Sequence, residues 1–336
     1  MMYELVGVFW NVIVVGLTGS AVLSALTIWF ERKATARVQR RVGPLWISRP
    51  IGGLLQPLAD LVRIAFQTPV IPREAHVAVF VLLPILSFVT SIFPLFVLPM
   101  TSVEVYAPLS STDFTLLLAV AIMVLSSLTI IAMGWASGNK FAMIGSLRES
   151  YILITYEVLI LASVITAIAL VGSFDAIEVV EFQKRYLWLV LLNPLGFLIL
   201  LLAIMLASST FPFEIAESES EVVAGPYTEF SGLLYVFSMA SVYVKRYTYS
   251  IITSIVYLGG WTPLEPQEGL LSGLVMPTLV VIAKAVPIMF LMSFMRSVYG
   301  RLRLDQALDL AWRVLVPLAL VAIAWSIFLR FILRGV

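Results

Sequence analysis

The chain has 336 residues, 61% of them hydrophobic and 12% charged, with a formal net charge of +1. Soluble domains run near about 45–50% apolar and about 25% charged, and this few charges cannot cover the surface of a soluble protein this long. A soluble enzyme is excluded, and a polytopic membrane protein is expected.

Cysteine is absent, which excludes disulfides, thiolate-held iron–sulfur clusters and a thiol nucleophile. The single histidine, His76, builds no metal cluster by itself. The first apolar run has no basic segment ahead of it and no convincing small-residue cleavage site. It reads as a retained span, not a removed signal peptide.

Eight apolar runs follow in order, at about 5–30, 77–100, 113–134, 150–172, 187–210, 231–258, 274–298 and 312–333. Backbone groups in lipid must be satisfied internally, so each run is expected to be a helix; strict period-two alternation, the mark of a β-barrel, is absent. Residues 1–336 read as a single membrane domain, all-α, with no internal repeat of the kind an inverted-repeat transporter carries. Between the first two runs, Ile51, Leu54, Leu55, Leu58, Val62, Ala65 and Phe66 share helical spacing, with Gln56, Asp60, Arg63 and Gln67 on another face. That pattern predicts one amphipathic helix at about 51–67, too short and too polar-striped to span, lying in the interface. The fold class is therefore eight transmembrane helices plus one interfacial amphipathic helix.

Orientation is read from Lys and Arg. The first connection, 31–76, carries Arg32, Lys33, Arg37, Arg40, Arg41, Arg49, Arg63 and Arg73; the third adds Lys140 and Arg148, and the seventh Arg301 and Arg303. Odd-numbered connections are expected in the cytoplasm and both termini outside, with Arg330 and Arg334 as a weak opposing signal. The bases from Arg32 to Arg41 suit lipid headgroups or an acidic partner surface.

The fifth connection, FPFEIAESESEVVAGPYTEF at 211–230, holds Glu214, Glu217, Glu219, Glu221 and Glu229 and no base. A solvated acidic loop is the ordinary reading of such a run. However, Phe211, Pro212, Phe213, Ile215, Val222 and Val223 are interleaved with the acids, and a solvated loop has little use for them. If the segment is helical, Glu214, Glu217 and Glu221 share one face. Like charges so close cannot all ionise cheaply, which suits a proton relay. Within the spans lie Glu157 (after Tyr156), Lys245, Arg246 and Lys284, each a functional residue by default or one half of a buried ion pair. Arg296, Arg313 and Asp113 stand near span ends, where they are expected to snorkel.

With these residues in hand, the chain closely resembles the H-subunit family of NADH-quinone oxidoreductase, the heel of respiratory complex I. That family has relatives in membrane-bound hydrogenases and related archaeal complexes. The blocks are ERKATARVQRRVGP at 31–44, QPLADLVRIAFQTPVIP at 56–72, GWASGNKFAMIGSLRESYILITYEV at 134–158, PFEIAESESEVVAGPYTEFSG at 212–232, GGW at 259–261 and RLRLDQALDLAWRVLVPLAL at 301–320. They run in family order over nearly the whole chain.

The resemblance implies eight spans plus an interfacial helix, agreeing with the independent reading. It implies a quinone chamber near Glu31, Arg32, Arg37, Asp60 and Arg63, with quinone as bound substrate and no flavin, cluster or metal held by this chain. It also implies a carboxylate path of Glu157 with Tyr156 before it, then Glu214, Glu217, Glu219, Glu221 and Glu229, joining quinone chemistry to proton translocation. Arg148, Lys284, Arg296, Arg301, Arg303 and Asp305 fall on matching positions too. The implied partners are other membrane subunits, cytoplasmic iron–sulfur and quinone-site (hydrogenase-like) subunits, and lipid, with no nucleic acid. The implied location is a prokaryotic plasma membrane, crossed many times, and no oxidoreductase activity is expected of the chain alone.

The sequence departs from the family in places. Where AETNR commonly precedes PFE, residues 206–210 are Leu-Ala-Ser-Ser-Thr, so the usual Glu is Ala207 and the usual Arg is Thr210. A Glu-Tyr pair becomes Val242-Tyr243, with Lys245 and Arg246 introduced nearby, and a Lys-Glu before Pro69 becomes Gln67-Thr68. These departures keep open an alternative, the equivalent membrane component of a ferredoxin-linked hydrogenase or sulfane reductase that works without quinone. A stand-alone secondary transporter is a more distant alternative.

Overall fold

A computed structural model describes residues 2–103, 106, 113–267 and 269–334, apart from the side chains of 2–5 and 334. The side chain of Arg334 thus lies outside the described residues, as do the extreme ends of the expected domain. Among the described residues all regular structure is helical.

Six helices are long and apolar enough to cross a membrane: α1 (Val6–Val38), α3 (Val77–Val97), α4 (Thr115–Ala136), α5 (Lys140–Val171), α9 (Leu271–Val298) and α10 (Leu304–Leu333). Among the described residues, four further helices are ten or more residues long: α2 (Gln56–Ala65), α6 (Ala176–Arg185), α7 (Pro194–Ala207) and α8 (Gly232–Tyr257). The fifth and sixth apolar runs stand apart for separate reasons. α7 is only 14 residues long, and α8, at 26 residues, is long enough but diluted by Ser, Thr, Tyr, Lys245 and Arg246.

The break ahead of α7 comes from Pro194, which disfavours helical geometry at the residue before it; Asn193 sits at φ −138°, ψ 77°. Its amide mends the break. Oδ1 accepts from the Gly196 N–H at 3.0 Å, while Nδ2 donates to the Ala322 carbonyl and the Ser326 hydroxyl, each at 2.9 Å.

Two helices start earlier than hydropathy alone predicts. α5 begins at Lys140, because the Asn139 side chain accepts from the Phe141 N–H at 2.8 Å and caps it, and no breaker follows. The third connection is therefore a short turn around Gly138 (φ +68°), and Lys140 and Arg148 lie on the helix. α10 likewise begins at Leu304. The amphipathic helix is shorter than its apolar spacing, since Gly52 and Gly53 both take positive φ and hold back its start. Leu58, Leu61 and Val62 on α2 remain exposed. The fourth connection contains a helix that periodicity did not single out, α6, capped by the Asp175 carboxylate accepting from the Ile177 N–H at 3.1 Å.

The connections sort onto two ends of the bundle. At one end, the His76 N–H donates to the Ala136 carbonyl at 3.1 Å, and the Val70 N–H donates to the Ser231 hydroxyl at 2.8 Å. Asn139 bonds Glu229, and the Leu302 N–H donates to the Pro212 carbonyl at 2.9 Å. The first, third, fifth and seventh connections thus touch one another. At the opposite end, Phe114 packs on Phe174 (ring centroids 5.7 Å apart) and Lys184 pairs with Glu265 at 2.8 Å, bringing the second, fourth and sixth connections together.

Candidate functional site

The acidic fifth connection is held against α5 by close backbone approach. A Cβ on Gly225 (φ +53°) would sit 2.0 Å from the Ala216 carbonyl oxygen, and one on Gly145 of α5 would sit 2.6 Å from the Gly225 Cα. Only glycines permit this contact. The interleaved apolar residues do the anchoring: Phe213, Ile215, Ala216 and Val222 are buried, although Val223 stays exposed.

The acids do not share a helix face. Apart from the single helical turn Glu219–Val222, residues 211–224 form turns and irregular backbone. Pro212 lacks a helix donor, and the chain reverses at Val223 (φ +65°). The loop therefore sorts its carboxylates individually. Glu214 and Glu217 turn inward, while Glu219 and Glu221 face out.

Inward-facing Glu214 takes a hydrogen bond from Arg301 Nη2 at 3.3 Å, and Arg301 Nη1 donates to the Ser218 hydroxyl at 2.6 Å. Burial raises the Glu214 carboxyl above its ordinary value, against the pull of Arg296 and Arg301. Glu217 is pushed up to about 8, first by its enclosure and then by the charge of Glu214. A carboxyl poised there changes protonation near neutral pH when a neighbouring charge changes.

Beside the loop lies a guanidinium–carboxylate hub. Glu31, on α1 and 5% exposed, pairs with Arg246 of α8 at 2.9 Å and also with Arg296 of α9. The Arg246 guanidinium stacks over the Tyr243 ring (4.6 Å to the centroid), and those of Arg296 and Arg301 flank the Phe211 ring at 5.2 and 5.5 Å. Arg296, near the end of its span, is part-exposed and reaches back to this buried acid.

On the other flank of α8, Lys245 is 1% exposed and donates to the Ser127 hydroxyl of α4 at 2.9 Å. It interacts electrostatically with Glu149 and Glu157 of α5 and with Glu217. The Tyr156 hydroxyl donates to Glu149 Oε1 at 3.3 Å. Glu157 is buried, and neither carboxylate oxygen has a hydrogen-bond partner.

The site thus joins Glu31, Arg246, Arg296, Glu214, Arg301, Glu217, Glu149, Tyr156, Lys245 and Glu157. Of these, Glu149 went unnoticed in the sequence. A signal was present, since Glu149, Tyr156 and Glu157 follow spacings of seven and eight residues, two helical turns apart on one face of α5. Ser127 gave no signal.

Other expected residues lie elsewhere. Glu221 forms an exposed pair with Arg148, Glu229 bonds Asn139, and Glu219 is exposed. Arg32 pairs with Asp60 at the surface, and Arg37 and Arg63 are exposed nearby; of the expected chamber residues only Glu31 joins the buried hub. Arg303 and Asp305 pair at 2.9 Å, and with Arg148, Ser218, Glu221 and Arg301 they line a cleft of about 200 Å³ outside the loop. Lys284, on α9, sits away from this site, against the segment that follows α8. Its ammonium donates to the carbonyls of Leu258, Gly260 and Thr262 at 2.6, 2.8 and 2.6 Å, beneath the Trp188 ring. The departures Ala207 and Val242 are buried among apolar side chains.

A family model described as NADH dehydrogenase matches residues 11–327. The NADH-quinone oxidoreductase H subunit of Geobacillus kaustophilus is 35% identical over 293 residues, 87% of this chain and 85% of the relative. The protein of the same name from Anoxybacillus flavithermus is 35% identical with the same coverage. That from Brevibacillus brevis is 34% identical over 313 residues, 93% of this chain and 90% of the relative.

Proposed function

The chain belongs to the NADH dehydrogenase family, and on that premise we propose that it is the membrane subunit of an ion-translocating NADH-quinone oxidoreductase. In this reading it contributes to the quinone chamber and relays the energy of electron transfer to proton movement through its buried carboxylates.

The observation that carries the reading is the inward pair Glu214 and Glu217, held between the Glu31–Arg246–Arg296 hub and the Glu149–Lys245–Glu157 cluster. A charge that develops near Glu31 alters the field on Arg246 and Arg296, which face Glu214 and Glu217. With Glu217 poised near 8, a proton is taken up or released there at neutral pH, and the change passes to Glu149 and Lys245. Glu221 and Glu229, bonded to Arg148 and Asn139, and the exposed Glu219 lie at the margin of this path.

Quinone is the substrate of this assembly, accepting two electrons and two protons on reduction. The residues beside the hub fit such a molecule. Guanidinium donors of Arg32, Arg37 and Arg63 suit carbonyl oxygens, and the exposed Leu58, Leu61, Val62 and Phe66 suit an apolar tail. The cytoplasmic iron–sulfur and quinone-site subunits would cover this end of the bundle, with other membrane subunits and lipid around its sides.

The sorting of connections onto two ends supports eight crossings in one domain. Because the fourth and fifth connections lie at opposite ends, α7 and the turn Leu189–Leu192 before it must traverse the bundle, and so must α8. Residues 189–207 rise about 28 Å at 1.5 Å each, close to the ~30 Å of hydrocarbon. The base-rich end carries the odd connections, so it faces the cytoplasm and both termini face out, in the plasma membrane of a prokaryote. α2 then lies in the interface.

The second reading, a ferredoxin-linked complex without quinone, is favoured by Ala207 and Val242, which are buried among apolar residues where the family carries acids. One preparation tests both. The native complex is isolated and its bound quinone and soluble subunits are identified, and inverted vesicles carrying Glu217→Gln are assayed for ions taken up per electron transferred. The proposal expects quinone in the complex and a collapse of that ratio. Normal ion uptake by Glu217→Gln would refute the relay, and a quinone-free active complex would move the assignment to the second reading.

A further inference from the structure

We propose that Lys245 is the proton carrier linking Glu149 to Glu157, an inference that rests on the relay function argued above. The two acids stand on the same face of α5 but eight residues apart, so their backbones are separated by about 12 Å along the axis at 1.5 Å per residue. Direct transfer between them would need oxygens within about 3 Å. Tyr156 bonds Glu149 Oε1 at 3.3 Å but makes no hydrogen bond to Glu157. At the other end, both oxygens of Glu157 are buried without a hydrogen-bond partner.

Lys245, on α8, interacts electrostatically with both acids. It is among the largest fully buried side chains of the protein, and its Nζ has one hydrogen bond, to Ser127 Oγ at 2.9 Å. An ammonium has three donors, so two remain for the acids on either side. The groups facing it come from every neighbouring element that carries charge: Glu149 and Glu157 from α5, and Glu217 from the acidic loop. Tyr156 and the unpartnered Tyr249 hydroxyl, both electrostatically coupled to Glu149 and Glu157, complete the surroundings.

A lysine serving only as a fixed counter-charge would lie in contact with its acid. Lys245 instead makes no direct ion pair among the described residues and rests on a neutral hydroxyl, with a flexible stem that reaches toward either carboxylate. The step balances without a further reactant. The ammonium gives a proton to the Glu157 carboxylate, leaving a neutral amine and a carboxylic acid. The amine then takes the proton of the Glu149 carboxylic acid and leaves a carboxylate. One proton has moved from Glu149 to Glu157, and the lysine is restored. Ser127 parks the ammonium between transfers.

The test uses inverted vesicles containing the native complex, with ions taken up per electron transferred as the readout. Lys245→Arg keeps the positive charge but holds its proton permanently, and Lys245→Met removes both. Each is expected to lower the ratio by at least about tenfold, since a positioned proton donor contributes about 10²–10⁴-fold to its transfer rate. A ratio in Lys245→Arg within about twofold of the parent overturns the proposal, because a fixed charge would then suffice. Glu217→Gln, measured in parallel, separates this failure from that of the relay itself. Loss in Glu217→Gln with a normal Lys245→Arg refutes the carrier alone, whereas normal uptake in both refutes the relay as well. If neither lysine variant assembles, Ser127→Ala decides, since the carrier role expects a lowered ratio and an unchanged one refutes it.

Discussion

Replacing Glu31 by Gln tests whether the guanidinium hub is held together as the geometry implies. The side chains of Glu31 and Arg246 are 6% and 7% exposed, and Arg246 Nε already lacks a partner. Removing the carboxylate strands a buried guanidinium, for which breaking a buried pair costs about 3–5 kcal/mol. The Arg296 arm adds little, because that side chain is 43% exposed and solvent screens it to about 1 kcal/mol or less. The two cations, no longer separated by an anion, then repel one another. The expected loss is dominated by Arg246 and amounts to about 10²- to 4 × 10³-fold in the folded-to-unfolded ratio, at 1.4 kcal/mol per tenfold. The assay is the denaturant midpoint of the detergent-solubilised complex, measured for Glu31→Gln, Arg246→Met and the double variant. The double variant is expected to regain most of the loss, since with a neutral amide in place of the Glu31 carboxylate and Met in place of Arg246 no buried charge is left without its partner. A single-variant loss below about 1 kcal/mol, or strictly additive losses in the double variant, would show that Glu31 does not organise the hub.

Glu217 sets a pH dependence. Its carboxyl is raised to about 8 from 4.5, so it stabilises the folded protein fully below pH 4.5, and that contribution is lost as pH rises through 8. Relative to Glu217→Gln, the parent should lose stability across this window, and its ion-to-electron ratio should show an inflection near pH 8 that the variant lacks; coincident profiles would contradict the poise of Glu217. Lys284→Met leaves the carbonyls of Leu258, Gly260 and Thr262 without their donor, and should destabilise by about 3 kcal/mol, read as a lowered thermal midpoint. Lys284→Arg should not rescue it, because a planar fork fits three converging carbonyls poorly. Asp60→Asn breaks only an exposed pair with Arg32 and should change stability by less than about 1 kcal/mol; a larger loss would mean that the pair is covered in the complex.

Helix positions were readable from hydropathy because lipid-facing backbone has little choice of structure. The failures came where a single polar side chain or proline outweighed the pattern. Asn139 starts α5 well before the apolar run does, Pro194 splits the fifth run, and Gly52 and Gly53 delay α2. At the site, the sequence indicated that the apolar residues of the acidic loop pack against something, and Phe213, Ile215 and Val222 are indeed its anchors. It could not separate Glu214 and Glu217 from Glu219 and Glu221, because that division depends on how the chain turns at Pro212 and Val223. The partner of Arg246, Glu31, lies more than two hundred residues away in the chain, and no local pattern reports such a contact.

Lys245 and Arg246 are neighbours in sequence, yet they belong to different clusters. Successive residues of an α-helix point about 100° apart, and here that angle sends the two adjacent bases to different neighbouring helices. Arg246 turns toward α1 and α9, where Glu31 and Arg296 lie; Lys245 turns toward α4 and α5, where Ser127, Glu149 and Glu157 lie. α8 therefore acts as a partition, and a charge change on its Arg246 side has no side-chain route through the helix itself. The group that faces both sides is Glu217, which interacts electrostatically with Arg246 and Arg296 on one flank and with Glu149 and Lys245 on the other. The loop that carries it is fixed on α5 by the Gly145–Gly225 contact, so its position relative to Lys245 is set by backbone packing and not by the charges it connects. This predicts that Gly145→Val, which adds bulk at that contact without altering any charge, uncouples ion uptake from electron transfer as fully as Glu217→Gln. Retained coupling in an assembled Gly145→Val complex would mean that the loop reaches α5 by its charges alone, and the partition argument would fail.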